Sequence, residues 1–117
     1  MTKQKWLGTY CPKKGDVIWL DFDPQAGQEQ AGRRPALIIS GQRYNQVTGL
    51  AMVCPITTKV KGYPFEVGLT GTITTGVVLS NHLKSLDWKV RKAEFIEECP
   101  KLILEDVLAK IQAILYE

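Results

Sequence analysis

Short apolar runs separated by turn residues occupy most of the chain. Runs rich in Val, Ile, Leu, Trp and Phe predict β-strands at residues 15–22, 36–40, 50–57, 65–69, 76–79 and 93–98. Polar and glycine-containing segments at residues 45–49 and 71–75 predict turns between them. Pro55 falls inside the third run. Because proline cannot donate a ladder hydrogen bond, it indicates a sheet edge or a bulge at that point.

The last segment of the chain has a helical period. In residues 101–117 the apolar side chains recur on one face, namely at Leu104, Val107, Leu108, Ile111 and Leu115. Pro100 suits the first helical position. The pattern predicts a C-terminal helix that closes the core, the alternative being a helix that binds a partner. Together the strands and the helix predict one mainly β or α+β domain over residues 1–117, built as a small, strongly curved barrel.

The composition is that of an ordinary globular domain. The chain has 117 residues, of which 44% are hydrophobic and 23% are charged, enough for one domain with a modest core. No apolar run approaches the ~20 residues of a membrane span, and the N-terminal residues lack the apolar segment of a signal peptide. We therefore expect a cytoplasmic protein without membrane contact, in which residues 1–9 are flexible.

Cysteine and histidine usage limits the candidate chemistry. Cys11, Cys54 and Cys99 are odd in number and far apart, so we interpret them as reduced structural thiols rather than a disulfide framework or a zinc site. His82 is the single histidine, which excludes a histidine-rich metal site and a two-histidine acid–base pair. We expect no metal and no other cofactor.

The net charge of +3 is mild, but the charges are unevenly distributed. Basic residues dominate residues 33–43 and 84–92 and occur at Lys59 and Lys61, whereas acids collect within residues 94–106. If the basic segments converge in space, they form an electropositive face for a phosphate polymer. On charge alone, solvated surface lysines are the simpler interpretation.

The first segment with candidate chemistry is GQEQAGRRP, at residues 27–35. Its polar side chains are able to surround an anion, and arginine offers paired planar donors that match a phosphate. These side chains are Gln28, Glu29, Gln30, Arg33 and Arg34. Taken alone, an acid and two arginines in a loop more often form surface ion pairs.

Two later segments end apolar runs with polar side chains. They are Thr57, Thr58 and Lys61 in the first segment, and Asn81, His82 and Lys84 in the second. The hydroxyls and the lysines are able to bind phosphate oxygens, while the amide and the imidazole are able to read base edges. Threonine is equally a β-strand former with local hydrogen bonds, and a single histidine is more often a bystander than a catalyst.

Taken together, these segments resemble the MazF/PemK family of toxin ribonucleases, and its MazF branch in particular. GQEQAGRRP resembles the family's G-x-E-Q-x-G-x-R-P loop. The segments GDVIWLDFDP (15–24), VCPITTKVKGYPFEV (53–67) and the C-terminal helix match in the same order. The resemblance covers nearly the whole chain, from about Tyr10 onward. It implies an SH3-like barrel with added helices, assembled as a homodimer.

The resemblance also implies a function. Members of the family are sequence-specific, metal-independent endoribonucleases that cleave single-stranded RNA and stop translation, and a MazE-like antitoxin with an acidic, disordered tail neutralises them. By this resemblance, Arg34 and Thr57 take the family's catalytic positions, and Glu29 and Gln30 take loop positions next to the substrate. The remaining candidates are expected to bind RNA: Gln28, Gln30, Arg33, Thr58, Lys61, Asn81, His82 and Lys84.

The chemistry of metal-free RNA cleavage fits these residue types. Attack by the ribose 2′-hydroxyl passes through a phosphorane and leaves 2′,3′-cyclic phosphate and 5′-hydroxyl ends. Arg34 and the Thr57 hydroxyl are able to stabilise the negative charge that develops. Arginine does not readily lose its proton, so Glu29 is the candidate general base.

The chain departs from the family at Asn81-His82, where MazF-like proteins often carry Asp-Gln. The exchange either tunes the RNA sequence that is read, which we prefer, or brings His82 into proton transfer. Two other functions stay open at this point. One is a CcdB-type toxin that shares the barrel and poisons DNA gyrase through its C-terminal end. The other is a non-catalytic RNA-binding module.

Overall fold

The computed structural model describes residues 10–22 and 32–117. In chain order its elements are β1 (Asp16–Asp21), β2 (Arg33–Ile38), α1 (Gln42–Thr48), β3 (Leu50–Thr57), β4 (Glu66–Gly68), β5 (Val77–Leu79), β6 (Lys84–Asp87), β7 (Glu94–Glu98) and α2 (Lys101–Leu115). The expectations for residues 1–9 and for Gln28, Glu29 and Gln30 lie outside the described residues.

The strands form one antiparallel sheet of seven strands, in the order β4-β5-β3-β2-β1-β7, with β6 pairing β3 off this path. Strand β3 changes partner along its length, since residues 50–53 pair with β6 and residues 56–57 pair with β5. Pro55 lies between these two ladders on an interior strand, so the expected sheet edge is in fact a break between partners. The mainly β class with a C-terminal helix is confirmed.

Alternation of side chains divides the core into two clusters on opposite faces of the sheet. On the helix side, Val107 and Ile111 of α2 pack against strand residues such as Val17 and Leu37. We call the opposite side the far face, and its buried residues are Ile18, Leu20, Ala36, Ile38, Ala51, Val53 and Trp88. The predicted role of the C-terminal helix in closing the core is confirmed.

The turn predicted at residues 45–49 is wrong. Residues Gln42–Thr48 form helix α1, which ends at Gly49 with a left-handed φ of 75°. The fully buried Asn45 holds this helix in place, because its amide donates to the carbonyl oxygens of Pro12 at 2.8 Å and Ser40 at 3.2 Å. Its backbone oxygen accepts a hydrogen bond from Trp88 Nε1 at 2.9 Å. Pro12 and Trp88 lie 33 and 43 residues away from Asn45 along the chain, so local composition did not indicate the helix.

Three further features differ from the predictions, namely strand β6, the bounds of β2 and the exposure of Leu115. Strand β6 was not predicted, because KSLD is short and is defined by its pairing with residues 50–53. Strand β2 covers Arg33–Ile38 instead of residues 36–40, so Arg33 and Arg34 belong to the strand itself. Leu115 is 67% exposed and does not belong to the buried face of α2.

The three cysteines are free, and Cys54 and Cys99 are buried. Burial raises the pKa of the Cys54 thiol to about 12 and that of Cys99 to about 11, so both stay protonated and act as packing groups. Within residues 10–22 and 32–117, neither helix has the length and apolar character that crossing a membrane requires.

Candidate functional site

Arg34 and Thr57 lie at the same end of the neighbouring strands β2 and β3. The ladder between these strands ends at the pair formed by Ala36 and Pro55, and each of the two residues lies two positions beyond that pair. Because side chains alternate along a strand, Arg34 shares a face with Ala36, and Thr57 shares a face with Pro55. Both partly buried side chains therefore extend the far face beyond its packed core.

The Thr57 hydroxyl is oriented by the backbone of the same segment. Its oxygen accepts a hydrogen bond from the N–H of Lys59 at 3.1 Å. A hydroxyl both accepts and donates, so this contact occupies a lone pair and leaves the proton to donate elsewhere. Thr57 is thus prepared to act as a hydrogen-bond donor.

The backbone of Thr57 is held by Gly76, which precedes β5. A Cβ on Gly76 would lie 2.3 Å from the Thr57 carbonyl oxygen, and Gly76 has a φ of 115°. Only glycine permits both the conformation and the approach. The sequence analysis missed the role of this residue, although a glycine within a predicted strand, here residues 76–79, is a detectable signal of close backbone approach.

Lys84 adds a positive charge to the far face. It pairs with Val53 in the β3–β6 ladder, and its Nζ lies 5.8 Å from the centroid of the Phe22 ring. Phe22 follows β1 and packs against the far-face cluster. The structure therefore brings Arg34, Thr57 and Lys84 to one face, and Phe22, which the sequence analysis did not select, supports the lysine through a cation–π contact.

Arg33 has a different environment from Arg34. Its Nη1 donates to Asp21 Oδ1 at 2.9 Å and its Nη2 donates to Glu94 Oε1 at 3.2 Å. Burial lowers the pKa of Arg33, but the hydrogen bonds with Asp21 and Glu94 outweigh this effect and raise it. The guanidinium of this exposed residue is engaged by two carboxylates of the protein, and RNA binding by Arg33 stays a prediction.

Thr58 and Lys61 lie in the exposed segment between β3 and β4, at residues 58–65. The carboxylate of Glu66 accepts the backbone N–H of Lys61 at 3.1 Å and that of Gly62 at 2.9 Å. Glu66 therefore fixes the course of this segment, while the side chains of Thr58 and Lys61 reach solvent directly after Thr57.

Asn81 and His82 lie in the turn between β5 and β6, where the N–H of His82 donates to the Leu79 oxygen at 3.0 Å. Both side chains are exposed. The turn crosses the point at which β3 changes partner, since β5 and β6 pair with the two halves of that strand. This places the pair beside the middle of β3, between Thr57 and Lys84 along the sheet.

The described part of the chain holds no group of three or more His, Cys, Asp and Glu side chains placed to share a metal ion. A cavity of about 290 Å³ lies apart from Arg34 and Thr57, and no predicted site residue lines it. Its walls include the rings of Tyr10, Trp88 and Phe95 and the charged residues Lys89, Lys92 and Glu94.

Known proteins resemble this chain along most of its length. The family model for the PemK-like, MazF-like toxin of type II toxin–antitoxin systems matches residues 13–115. The chain is 49% identical over 87 residues to the endoribonuclease toxin MazF of Escherichia coli K12, which covers 74% of this chain and 78% of that protein.

Solved structures extend the comparison to the fold. The crystal structure of MazF from Deinococcus radiodurans (form I) is 50% identical with a TM-score of 0.84, covering 92% of this chain and 99% of that one. A MazE–MazF crystal structure from the same organism (form II) is 44% identical with a TM-score of 0.81, covering 92% and 97%.

Proposed function

We propose a reaction for this chain, which belongs to the PemK-like, MazF-like toxin family of type II toxin–antitoxin systems and is an endoribonuclease. It cleaves single-stranded RNA at a short sequence without a metal ion, and so stops translation in the cytoplasm. The observation that carries the proposal is the position of Arg34 and Thr57 at the same end of β2 and β3, on one face of the sheet.

The reaction is an internal transfer at phosphorus. The ribose 2′ oxygen forms a bond to the adjacent phosphorus while the bond from phosphorus to the 5′ oxygen breaks, leaving 2′,3′-cyclic phosphate and 5′-hydroxyl ends. Negative charge grows on the non-bridging oxygens of the phosphorane. Arg34 donates two parallel hydrogen bonds to these oxygens and Thr57 donates one, so both interactions strengthen as the charge develops.

Two protons move during the step. A base takes the proton of the 2′-hydroxyl, and an acid gives a proton to the departing 5′ oxygen. Glu29, which lies outside the described residues, is the proposed base because arginine holds its proton too tightly. Cleavage by Glu29→Gln at the normal rate across the pH range would remove Glu29 from this role.

Binding and sequence choice fall to the residues around the reacting phosphate. Lys84, on the same face, and Lys61, in the exposed segment after Thr57, attract the RNA backbone. Asn81 and His82 choose the base sequence, since both are exposed in the turn beside β3. His82→Gln should change the cleaved sequence; a changed rate with the same sequence would assign His82 to proton transfer.

The proposed regulation follows from charge. We propose that a MazE-like antitoxin with an acidic, disordered tail covers the face that holds Arg34 and Lys84, and the crystal structure of MazE–MazF from Deinococcus radiodurans supports such a pairing. We also propose a homodimer. Inhibition by an acidic peptide should weaken as the salt concentration rises. Inhibition that does not depend on salt would contradict the proposal that the acidic tail binds this face through its charge.

The direct test is cleavage of a long, mixed-sequence RNA in excess EDTA, with fragment ends mapped and their termini identified. We expect cuts at one short motif with 2′,3′-cyclic phosphate and 5′-hydroxyl ends. Arg34→Ala and Thr57→Val should each lower the rate by about 10²–10³, whereas Thr57→Ser keeps the hydroxyl and most of the rate. Arg43→Ala removes the same charge as Arg34→Ala from an exposed position on α1 and is the control.

Two outcomes would reject the proposal. If folded, antitoxin-free protein makes no cuts in EDTA, the metal-independent reaction is wrong, and inhibition of DNA gyrase would then favour the CcdB-type function. If RNA binds without being cut, the chain is a binding module. Cleavage that is unchanged in Arg34→Ala would show that another group stabilises the phosphorane.

A further inference from the structure

Two arginines hold the same residue at the end of β1, from opposite sides. Asp21 is the last residue of β1 and pairs with Arg33, the first residue of β2. The Arg33 side chain donates to the Asp21 carboxylate at 2.9 Å. Arg91, which lies between β6 and β7, donates from its side chain to the Asp21 carbonyl oxygen at 3.1 Å and to that of Phe22.

The Arg33 side chain also bonds the segment that carries Arg91. The Arg33 Nη2 donates to the Lys92 carbonyl oxygen at 2.5 Å and to Glu94 Oε1 at 3.2 Å. The backbone of Arg91 also participates, because its oxygen accepts the Asp21 N–H at 2.9 Å. Arg33 thus bonds the segment that carries Arg91, and both arginines bond the end of β1. We call Arg33, Arg91, Asp21 and Glu94 the arginine brace.

The brace lies next to the proposed catalytic arginine. It joins the last residue of β1 to the first residue of β2, and Arg34 follows Arg33 directly. Leu20, which pairs with Arg34 across the two strands, precedes Asp21. The contact between Asp21 and Arg33 therefore restrains the strand ends from which the Arg34 side chain extends.

The solvent exposure of the brace side chains indicates whether its loss should affect stability or catalysis. The side chains of Arg33 and Asp21 are 33% and 30% exposed, and that of Glu94 is 66% exposed. Ion pairs this accessible to water contribute little to overall stability. The geometric effect is larger, because a displacement of about 1 Å at a catalytic group lowers a rate about a hundredfold.

We propose that the arginine brace positions Arg34 for the transition state, and that Arg33 and Arg91 act through this contact instead of binding RNA. The proposal rests on the proposed function, because it requires Arg34 to act on the phosphate. Loss of the brace should lower kcat. The affinity for RNA should change no more than it does in Arg43→Ala, a variant that removes one positive charge from an exposed position on α1. Arg33, Arg91, Asp21 and Glu94 are accordingly positioning residues, not catalytic ones.

The test compares single-turnover cleavage with RNA affinity. Cleavage of one RNA is measured in EDTA, and Kd is measured on the same RNA with a 2′-deoxy substitution at the cut site. Arg33→Ala and Arg91→Ala should lower the cleavage rate by about tenfold to a hundredfold. Their Kd and salt dependence should equal those of Arg43→Ala, which removes the same charge from the surface of α1.

Variants at Asp21 separate the contact from the fold. Asp21→Asn keeps an oxygen that accepts from Arg33 and should retain most of the rate, whereas Asp21→Leu should resemble Arg33→Ala. Equal rates for these two variants would overturn the brace. If Arg91→Ala does not fold, Asp21→Leu and Arg33→Ala carry the same test. Both variants keep the hydrogen bond from the Arg91 side chain to the carbonyl oxygen of residue 21.

Other outcomes are equally decisive. Arg33→Ala could instead weaken RNA binding and leave the cleavage rate unchanged. If it also lowers the slope of log binding constant against log salt concentration by about one more than Arg43→Ala does, Arg33 contacts RNA and the proposal is wrong. Arg34→Ala distinguishes failure of the proposed function from failure of the arginine brace. If it cuts normally, the proposed catalytic role of Arg34 fails, and if it is inactive while the brace variants cut normally, only the brace fails.

Discussion

Replacing Gly76 with alanine should damage both the fold and the proposed active site. Gly76 has a φ of 115°, a conformation that residues with a side chain rarely adopt. A Cβ at this position would lie 2.3 Å from the Thr57 carbonyl oxygen, 2.9 Å from its carbonyl carbon and 3.3 Å from Thr58 Cα. All three are backbone atoms, which cannot rotate away as the end of a flexible side chain does.

The expected loss of unfolding free energy in Gly76→Ala has a conformational part and a steric part. Holding a residue with a side chain in such a backbone region costs about 1–3 kcal/mol. Moving the oxygen from 2.3 Å to the ordinary contact distance of 3.4 Å requires a shift of roughly 1 Å, and overpacking of this kind costs about 1–3 kcal/mol. The total of about 2–6 kcal/mol is a large part of the ~5–15 kcal/mol that stabilises a domain.

The same shift should reduce catalysis more than it reduces RNA binding. Since Thr57 carries the proposed donor, its displacement by roughly 1 Å should lower the cleavage rate about a hundredfold. Urea denaturation gives the change in unfolding free energy, and single-turnover cleavage in EDTA, under conditions in which the variant stays folded, gives the rate.

Gly71→Ala is the matched control for Gly76→Ala. Gly71 has a φ of 70°, but no atom lies within 4 Å of the position that its Cβ would occupy. It therefore carries conformational strain without the contact. If Gly76→Ala loses no more stability and no more activity than Gly71→Ala, the reasoning that Gly76 holds the end of β3 is refuted.

Three other predictions concern the core, a buried polar group and acid stability. Leu37→Ala should cost about 2–5 kcal/mol in urea because Leu37 is fully buried, whereas Val47→Ala, at a 77% exposed position, should change stability by less than about 0.5 kcal/mol. Asn45→Ala should cost about 1–3 kcal/mol, since the Pro12 oxygen loses its buried donor; wild-type urea stability would contradict this. Burial raises the pKa of Glu97, but hydrogen bonds from the Ile73 and Thr74 backbone outweigh it and lower the pKa below its ordinary 4.5. The stability from Glu97 is thus present above pH 4.5 and is lost as the pH falls through the lowered value. Glu97→Gln should flatten the fall in Tm as the pH is lowered below 4.5, and an identical pH profile would contradict the assignment.

Much of the fold was predictable because its signals are local. Alternating apolar runs indicate strands from the side-chain period alone, and five of the six predicted strands occur within one residue of their expected bounds. The helical period of α2 identified Val107 and Ile111 as buried. It did not identify Leu115 as exposed, because the periodic pattern continues beyond the last residue that contacts the sheet.

The candidate site was predictable by residue type but not by arrangement. The resemblance to the family's motifs indicated Arg34 and Thr57, and their catalytic roles stay a prediction. The strand register then showed that both extend the far face at one end of the sheet. Glu29 lies outside the described residues, so its role as a base stays a prediction.

By itself, the sequence determined the class of the fold, the family and the residues worth testing, since periodicity and motif order are properties of neighbouring positions. Only the tertiary structure decided that residues 42–48 are helical, that β6 exists, and that the Arg33 side chain bonds Asp21 and Glu94. The contacts of Arg33 with Lys92 and Glu94 span 59 and 61 residues of chain. Such contacts depend on which strands pair and in what register, and no local pattern of residues contains that information.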